Sequence, residues 1–305
     1  MHLFWYYTDK EVHMFYPIDP PQPTPGVKQA TAFVVLNPPQ SRRLIAKGAV
    51  ASPIVQKAYR NGMIIIARGI TNAYVSEELF KIKIENKTNQ TAGFVGNGAT
   101  NSTSTPPPCT WHVIEKGRVL EGADSNVEVT RFKKGDVVIK GANAIDHTGL
   151  TGTYASSLKT GTMGAMWPYV TSRGAEFIIP VSLEKMVPCV MTASQNTGIY
   201  HFNYTTGLPA KIVVLPDAKA ITEIQAMAIL FGVRAYHVGS GGIAGSEGSV
   251  HLTLEGDQNK VEAAFELVKS LKGEPPVGMP DARKISDPVD FFYDPQAQLD
   301  TLEGV

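Results

Sequence analysis

The segment Gly135-Asp-Val-Val-Ile-Lys-Gly-Ala-Asn-Ala-Ile-Asp146 joins a short β-branched run to small and polar residues. Its run from Val137 to Ile139 suits a strand that is covered on both faces. Beyond that run, Gly141 allows a ligand to approach the backbone, and Asn143 and Asp146 offer hydrogen-bond donors and acceptors. Because α/β proteins bind ligands at the carboxyl ends of parallel strands, this segment predicts both an α/β fold and a ligand site.

Other segments extend the same pattern along the chain. Met63-Ile-Ile-Ile-Ala-Arg68 predicts a second buried strand, and a polar loop and the helix 73–80 follow it. Residues 176–181 predict a third strand, and residues 111–120 a hairpin that decorates the sheet. We therefore expect an α/β protein with a largely parallel sheet flanked by helices.

The length of 305 residues with 43% apolar content suggests two structural units. The proline-rich residues 1–40 predict an extended N-terminal arm, and residues 41–200 an α/β ligand-binding domain. Residues 201–276 predict a small α+β unit whose strand-helix-strand-strand-helix order is typical of half a ferredoxin-like fold. Residues 277–305 predict an extended acidic tail, which we expect to dock by its aromatic side chains.

Composition excludes several classes of function. The 28 basic residues balance the 28 acidic ones, so the chain offers no bulk field that would attract nucleic acid. No apolar run approaches the roughly 20 residues that cross a bilayer, and the N-terminus lacks the pattern of a signal peptide. We expect a cytoplasmic protein. Cys109 and Cys189 are too few and too far apart for a metal cage, and the sequence leaves any cofactor unknown.

Two loops open predicted helices and are candidate anion sites. At the first, Gly69, Thr71 and Asn72 could present backbone N–H groups and the positive end of the helix dipole to a phosphate or carboxylate. The alternative is a capped turn between strand and helix. The second loop is similar: its glycines permit close approach and its threonine hydroxyl can donate, although the glycines could equally serve packing. Its candidate residues are Gly161, Thr162 and Gly164.

Titratable residues near the decisive segment are further candidates. Asp146 is the predicted acid or base, because a carboxylate beside desolvating walls can have its pKa adjusted. Lys140 and Lys185 could neutralise a phosphate, but both are more typical of solvated surface lysines. His147 is more typical of an ordinary loop histidine.

A glycine-dense segment, 239–248, joins two predicted strands and does not open a helix. That context opposes a nucleotide-binding loop. We predict a flexible hairpin lid or a subunit contact.

The order of these loops resembles that in the superfamily of glucosamine-phosphate deaminase, ribose-phosphate isomerase and CoA transferase. There the first strand ends in a phosphate loop, to which the segment from Gly69 to Asn72 is similar. A later strand ends in a Gly-Ala-Asp type segment, which Gly141 to Asn143 resembles, with Asn143 in place of the usual acidic residue. The resemblance covers roughly residues 41–190, and the whole chain also resembles a prokaryotic family to which no activity is assigned.

The resulting hypothesis is a protein that binds a small phosphorylated or carboxylated metabolite at the strand ends. A sugar phosphate, a nucleotide or a CoA ester would fit this class, and the resemblance implies isomerase-like proton transfer, for which Asp146 is the candidate. The alternative is a non-catalytic ligand sensor or an oligomeric assembly protein. The long terminal segments predict a homo-oligomer, and whether the protein is an enzyme stays open.

Overall fold

The computed structural model describes residues 14–103 and 112–280. Cys109 and the greater part of the predicted tail therefore lie outside the described residues, as do residues 1–13 of the predicted arm. The helices are α1 Pro38–Ala51, α2 Pro53–Asn61, α3 Ile70–Phe80, α4 Ser125–Glu128, α5 Thr162–Arg173, α6 Val190–Gln195, α7 Glu223–Phe231 and α8 Gln258–Ser270. None of the helices in this part of the chain has the length and apolar character to cross a bilayer.

The strands run through the same described residues. They are β1 Gln29–Leu36, β2 Met63–Ile66, β3 Gly93–Gly96, β4 Ala99–Ser102, β5 His112–Glu115, β6 Arg118–Val119, β7 Val137–Ile139, β8 Ala144–Ile145, β9 Thr151–Ala155, β10 Glu176–Pro180, β11 Lys211–Leu215, β12 Ala218–Ile221, β13 Arg234–Ser240 and β14 Val250–Asp257.

The largest sheet has six strands in the order β12-β10-β7-β2-β5-β6. The first four are parallel, while β5 pairs antiparallel with β2 and forms a hairpin with β6. This confirms an α/β architecture with a mostly parallel sheet flanked by helices. Because Ile66 lies opposite Ile139 and Pro180 opposite Ile221, the carboxyl ends of β2, β7, β10 and β12 share one edge of the sheet, which we call the carboxyl edge.

Apolar side chains cover both faces of this sheet. On one face, Met163 and Met166 of α5 pack with residues such as Val138 and Ile179. On the other face, α1, α2 and α3 pack against the alternate strand positions, among them Ile139. Burial on both faces is the physical reason why β2 and β7 have continuous β-branched sequences.

A second sheet corrects the predicted N-terminal arm. Residues 29–36 form β1, which pairs antiparallel with β14 in a three-stranded sheet of order β1-β14-β13. The prolines that suggested an arm precede β1 and do not interrupt it. Its side chains alternate as in a half-buried strand, with Val34 and Leu36 buried and Phe33 and Val35 exposed.

The predicted unit 201–276 is also divided differently. β11 pairs with β9 in a third sheet, and β12 joins the parallel sheet beside β10. A turn at Pro216 and Asp217 separates β11 from β12, so the chain passes there from one sheet to the other. Within the described residues, α7, β13, β14 and α8 remain together as one unit, and β1 completes their sheet.

Helix α1 lies between the six-stranded sheet and the sheet of β1, β14 and β13, because its Ile45 packs in the core of the first and its Leu44 in the core of the second. Asn37 caps it through a reciprocal hydrogen-bond pair with Gln40. Its Gly48 lies against α7 so closely that a β-carbon placed there would be 2.5 Å from Ala226 Cβ. The two helices can therefore cross at this distance only without a side chain at residue 48.

Gly48→Val is expected to destabilise the protein by about 1–3 kcal/mol, because the added side chain must force α1 away from α7. Urea unfolding measures this free energy. Gly273→Val is the matched control, since a β-carbon at Gly273 meets nothing within 4 Å. An equal loss of unfolding free energy in the two variants would contradict the close crossing of α1 and α7.

Candidate functional site

The strand pairing continues past the ends of the strands at the carboxyl edge. The amide of Ala67 donates to the Ile139 carbonyl at 2.9 Å, and the amide of Lys140 donates to the Ile178 carbonyl at 3.1 Å. Val181 N donates in the same way to Ile221 O at 3.0 Å. These bonds hold the segments that follow β2, β7, β10 and β12 side by side.

Asn72 ties the first predicted loop to the end of β7. Its Nδ2 donates to Ala67 O at 2.8 Å and to Ile139 O at 3.3 Å. Gly69 precedes α3 with φ 154°, and no side chain caps the helix. Asn72 Oδ1 and Arg68 Nε are buried without a hydrogen-bond partner among the described residues. The start of α3 thus holds polar groups that the described residues leave unsatisfied, and Thr71 is buried in the same turn.

Residues 141–143 follow β7, whose last carbonyl accepts from Asn72, but Asn143 has a structural partner. Its Oδ1 accepts from Tyr154 N at 3.0 Å, which secures the hairpin of β8 and β9. Asn143 N also donates to Gly152 O at 2.8 Å. Gly141 faces open space at the position of an added β-carbon, so packing alone does not demand glycine there.

Asp146 is buried and each of its carboxylate oxygens is hydrogen-bonded within the chain. Oδ1 accepts from the amide and hydroxyl of Thr148 at 3.0 and 2.7 Å. Oδ2 accepts from Val190 N, at the start of α6, at 2.9 Å. These contacts give Asp146 a structural function, which is to tie its loop to α6. Its predicted role in proton transfer stays a prediction.

The predicted loop with Gly161, Thr162 and Gly164 is not joined by any hydrogen bond within the described ranges to the segments that follow β2 and β7. The topology directs the start of α5 towards the carboxyl edge, because the other end of α5 leads into β10. Gly161 has φ 51° and faces open space, and Thr162 begins the helix. A β-carbon at Gly164 would collide with the Lys159 carbonyl, so Gly164 is required by the turn itself.

Two lysines lie at the carboxyl edge. Lys140 directly follows β7, and Lys185 follows β10 and donates from Nζ to the carbonyl of Ala142 at 2.8 Å. Both residues are half-buried. Burial, together with the nearby charge of Lys185, lowers the pKa of Lys140 to about 8. Burial also lowers the pKa of Lys185 to about 8, an effect that the carboxylates of Glu184 and Glu223 oppose and the charge of Arg42 reinforces.

The carboxylates near Lys185 already have partners. Glu184 forms an ion pair with Arg42 of α1 at 3.5 Å. Glu223, the first residue of α7, accepts from Ser182 Oγ at 2.6 Å and Leu183 N at 3.0 Å, and burial raises its pKa. By contrast, Lys140 has no side-chain hydrogen bond or ion pair with any residue in 14–103 or 112–280.

The glycine-dense segment between β13 and β14 borders this cluster. A β-carbon at Gly248 would lie 2.7 Å from Glu184 Oε2. The sequence predicts a lid or a subunit contact for this segment, and the structure places its last glycine against Glu184. No local sequence pattern could have predicted that Gly248 and Arg42 lie near Glu184 and Lys185, because both are far from Lys185 in sequence.

A cavity of about 570 Å³ lies elsewhere, beside the start of α8, with Thr24, Lys28, Asp257 and Lys260 in its lining. Asp257 there accepts hydrogen bonds from Thr24 and Gln29 and pairs with Lys260 at 2.8 Å. These contacts hold its pKa well below the usual range. The carboxylate is thus committed to joining β14 to the residues before β1, and we do not regard this cavity as the functional site.

Asp146→Asn is expected to lower the free energy of unfolding by about 1–3 kcal/mol, because an amide cannot accept from both Val190 and Thr148. Chemical denaturation provides the measurement. Asp217→Asn, at an exposed position, changes the same charge and is expected to cost less than about 0.5 kcal/mol. Unchanged stability in Asp146→Asn would contradict the structural function.

No family model and no curated protein matches the chain. The contacts and charges at the carboxyl edge are therefore the basis for assigning a function.

Proposed function

We propose that the carboxyl edge binds a small phosphorylated or carboxylated metabolite, with Lys140 and Lys185 supplying the positive charge. One observation supports this most: two half-buried lysines lie together at the ends of adjacent parallel strands. Like charges repel, and burial adds a further cost to each ammonium group. A bound anion would offset both costs.

The charges around the pair favour an anion. Around Lys185 lie two other cations and two carboxylates. The cations are Lys140 and Arg42, and the carboxylates are Glu184 and Glu223. Glu184 is paired with Arg42, and Glu223 is satisfied by Ser182 and Leu183. Lys140 therefore lacks a counter-ion among the described residues, and an anionic ligand would provide one.

The resemblance to the sugar-phosphate isomerases supports the same ligand class but not a particular reaction. Because Asn143 and Asp146 are both engaged in structural hydrogen bonds, the proposal assigns them no chemistry. It covers enzyme and sensor alike, since each would need the anion site. The start of α3 and its residues Gly69 and Thr71 are proposed as the adjoining wall.

Lys140→Met and Lys185→Met are each expected to weaken phosphate binding by about 10–100-fold, which corresponds to the loss of one charge-assisted contact. Calorimetric titration with inorganic phosphate and ribose 5-phosphate measures this. Lys57→Met, on the exposed surface of α2, removes the same charge and should bind normally. Unchanged affinity in both site variants, with the fold intact by circular dichroism, would overturn the proposal.

Sulfate affinity is expected to fall as the pH rises through about 8, where the two lysines lose their protons. Ordinary lysines, with pKa about 10.4, would keep affinity constant up to about pH 9.5. Sulfate is the suitable probe because its charge does not change in this range. The other charged groups that face the pair are Arg42, Glu184 and Glu223. A flat profile would contradict the lowered pKa values.

A further inference from the structure

We propose that the amine of Lys140 forms an imine with a small aldehyde or ketone that carries a carboxylate or phosphate group. This inference rests on the proposed function, because Lys185 would hold the anionic group. It goes further in assigning Lys140 a covalent role. Three features distinguish Lys140 from an ordinary surface lysine: its position, its lack of partners among the described residues and its neighbours.

The position of Lys140 suits a nucleophile. It is the first residue after β7, and β7 lies between β2 and β10 within the parallel sheet. Its backbone is fixed by the bond from its amide to Ile178 O at 3.1 Å. Gly141 follows and leaves open space where a side chain would start. A small carbonyl compound could therefore approach the amine from the carboxyl edge.

The two lysines differ in their hydrogen bonds. Lys185 Nζ is held by Ala142 O at 2.8 Å, which leaves two N–H groups to hold an anion or donate a proton. The Lys140 amine has no hydrogen bond or ion pair within the described chain, and the residue is only partly buried. The Lys140 nitrogen is thus the one free to attack.

Electrostatics makes attack feasible near neutral pH. An amine is nucleophilic only when unprotonated, and a neighbouring cation together with desolvation favours that form. With its pKa at about 8, Lys140 holds far more neutral amine at pH 7.5 than an ordinary lysine does. The difference in the neutral fraction is on the order of a hundredfold.

The covalent step balances without an oxidant or reductant. The nitrogen lone pair of Lys140 attacks the carbonyl carbon, and the carbonyl oxygen takes up a proton, which the ammonium of Lys185 can supply. The resulting carbinolamine loses one water molecule to give a protonated imine. Hydrolysis reverses the sequence and returns the free amine and the carbonyl compound.

Reductive trapping with sodium cyanoborohydride tests the step. The intact protein is incubated at about pH 7.5 with pyruvate, glyceraldehyde 3-phosphate or acetone, and modified residues are located by peptide mass spectrometry. We expect Lys140 to be labelled at least about tenfold more than Lys57, given its larger neutral fraction. The two anionic compounds should label more strongly than acetone, and sulfate should compete with them.

Variants separate this proposal from the proposed function. Lys140→Arg keeps the charge and should keep part of the sulfate binding while losing all selective labelling. Lys185→Met should move the labelling optimum to higher pH, because removing the neighbouring cation raises the pKa of Lys140. If sulfate binds but no probe labels Lys140 selectively, the imine proposal fails and the anion site stands. If sulfate does not bind and labelling is not selective, both fail.

Discussion

The parallel pairing of β12, β10, β7 and β2 is the constraint on which the rest of the molecule depends. Parallel strands are covered on both faces by the helices that connect them, so their side chains form the core. Their carboxyl ends necessarily lie together, and the polar residues that follow meet there. Lys140 and Lys185 are far apart in the chain, and the pairing of β7 with β10 is what makes them neighbours.

Much of the main sheet could be predicted from the sequence, because β2, β7 and β10 are short apolar runs rich in β-branched residues, and strands of that kind pair in parallel between helices. The partners of other strands could not. β1 is too far from β14 in sequence for any local pattern to indicate their pairing, and the prolines before β1 suggested an extended arm. β11 and β12 are adjacent in sequence, yet they belong to different sheets.

The candidate site was predictable to a similar degree. The sequence located the loops after β2 and β7, and the pairing places those loops side by side. The sequence could not show which polar side chains are already hydrogen-bonded within the fold and which are free to bind a ligand, because the hydrogen-bond partners are far away in sequence. Asp146 looked suitable for chemistry but is bonded to Val190, whereas Lys140 resembled a surface lysine but is half-buried beside Lys185.

The contact between Gly248 and Glu184 has a mechanical consequence. It is the place where the turn between β13 and β14 meets the ion pair that Glu184 forms with Arg42 of α1. Any side chain at residue 248 would displace the carboxylate of Glu184, and this would change the electrostatic effect of Glu184 on Lys185. The absence of a side chain at Gly248 therefore lets the turn of the β1-β14-β13 sheet lie against a charged group of the parallel sheet.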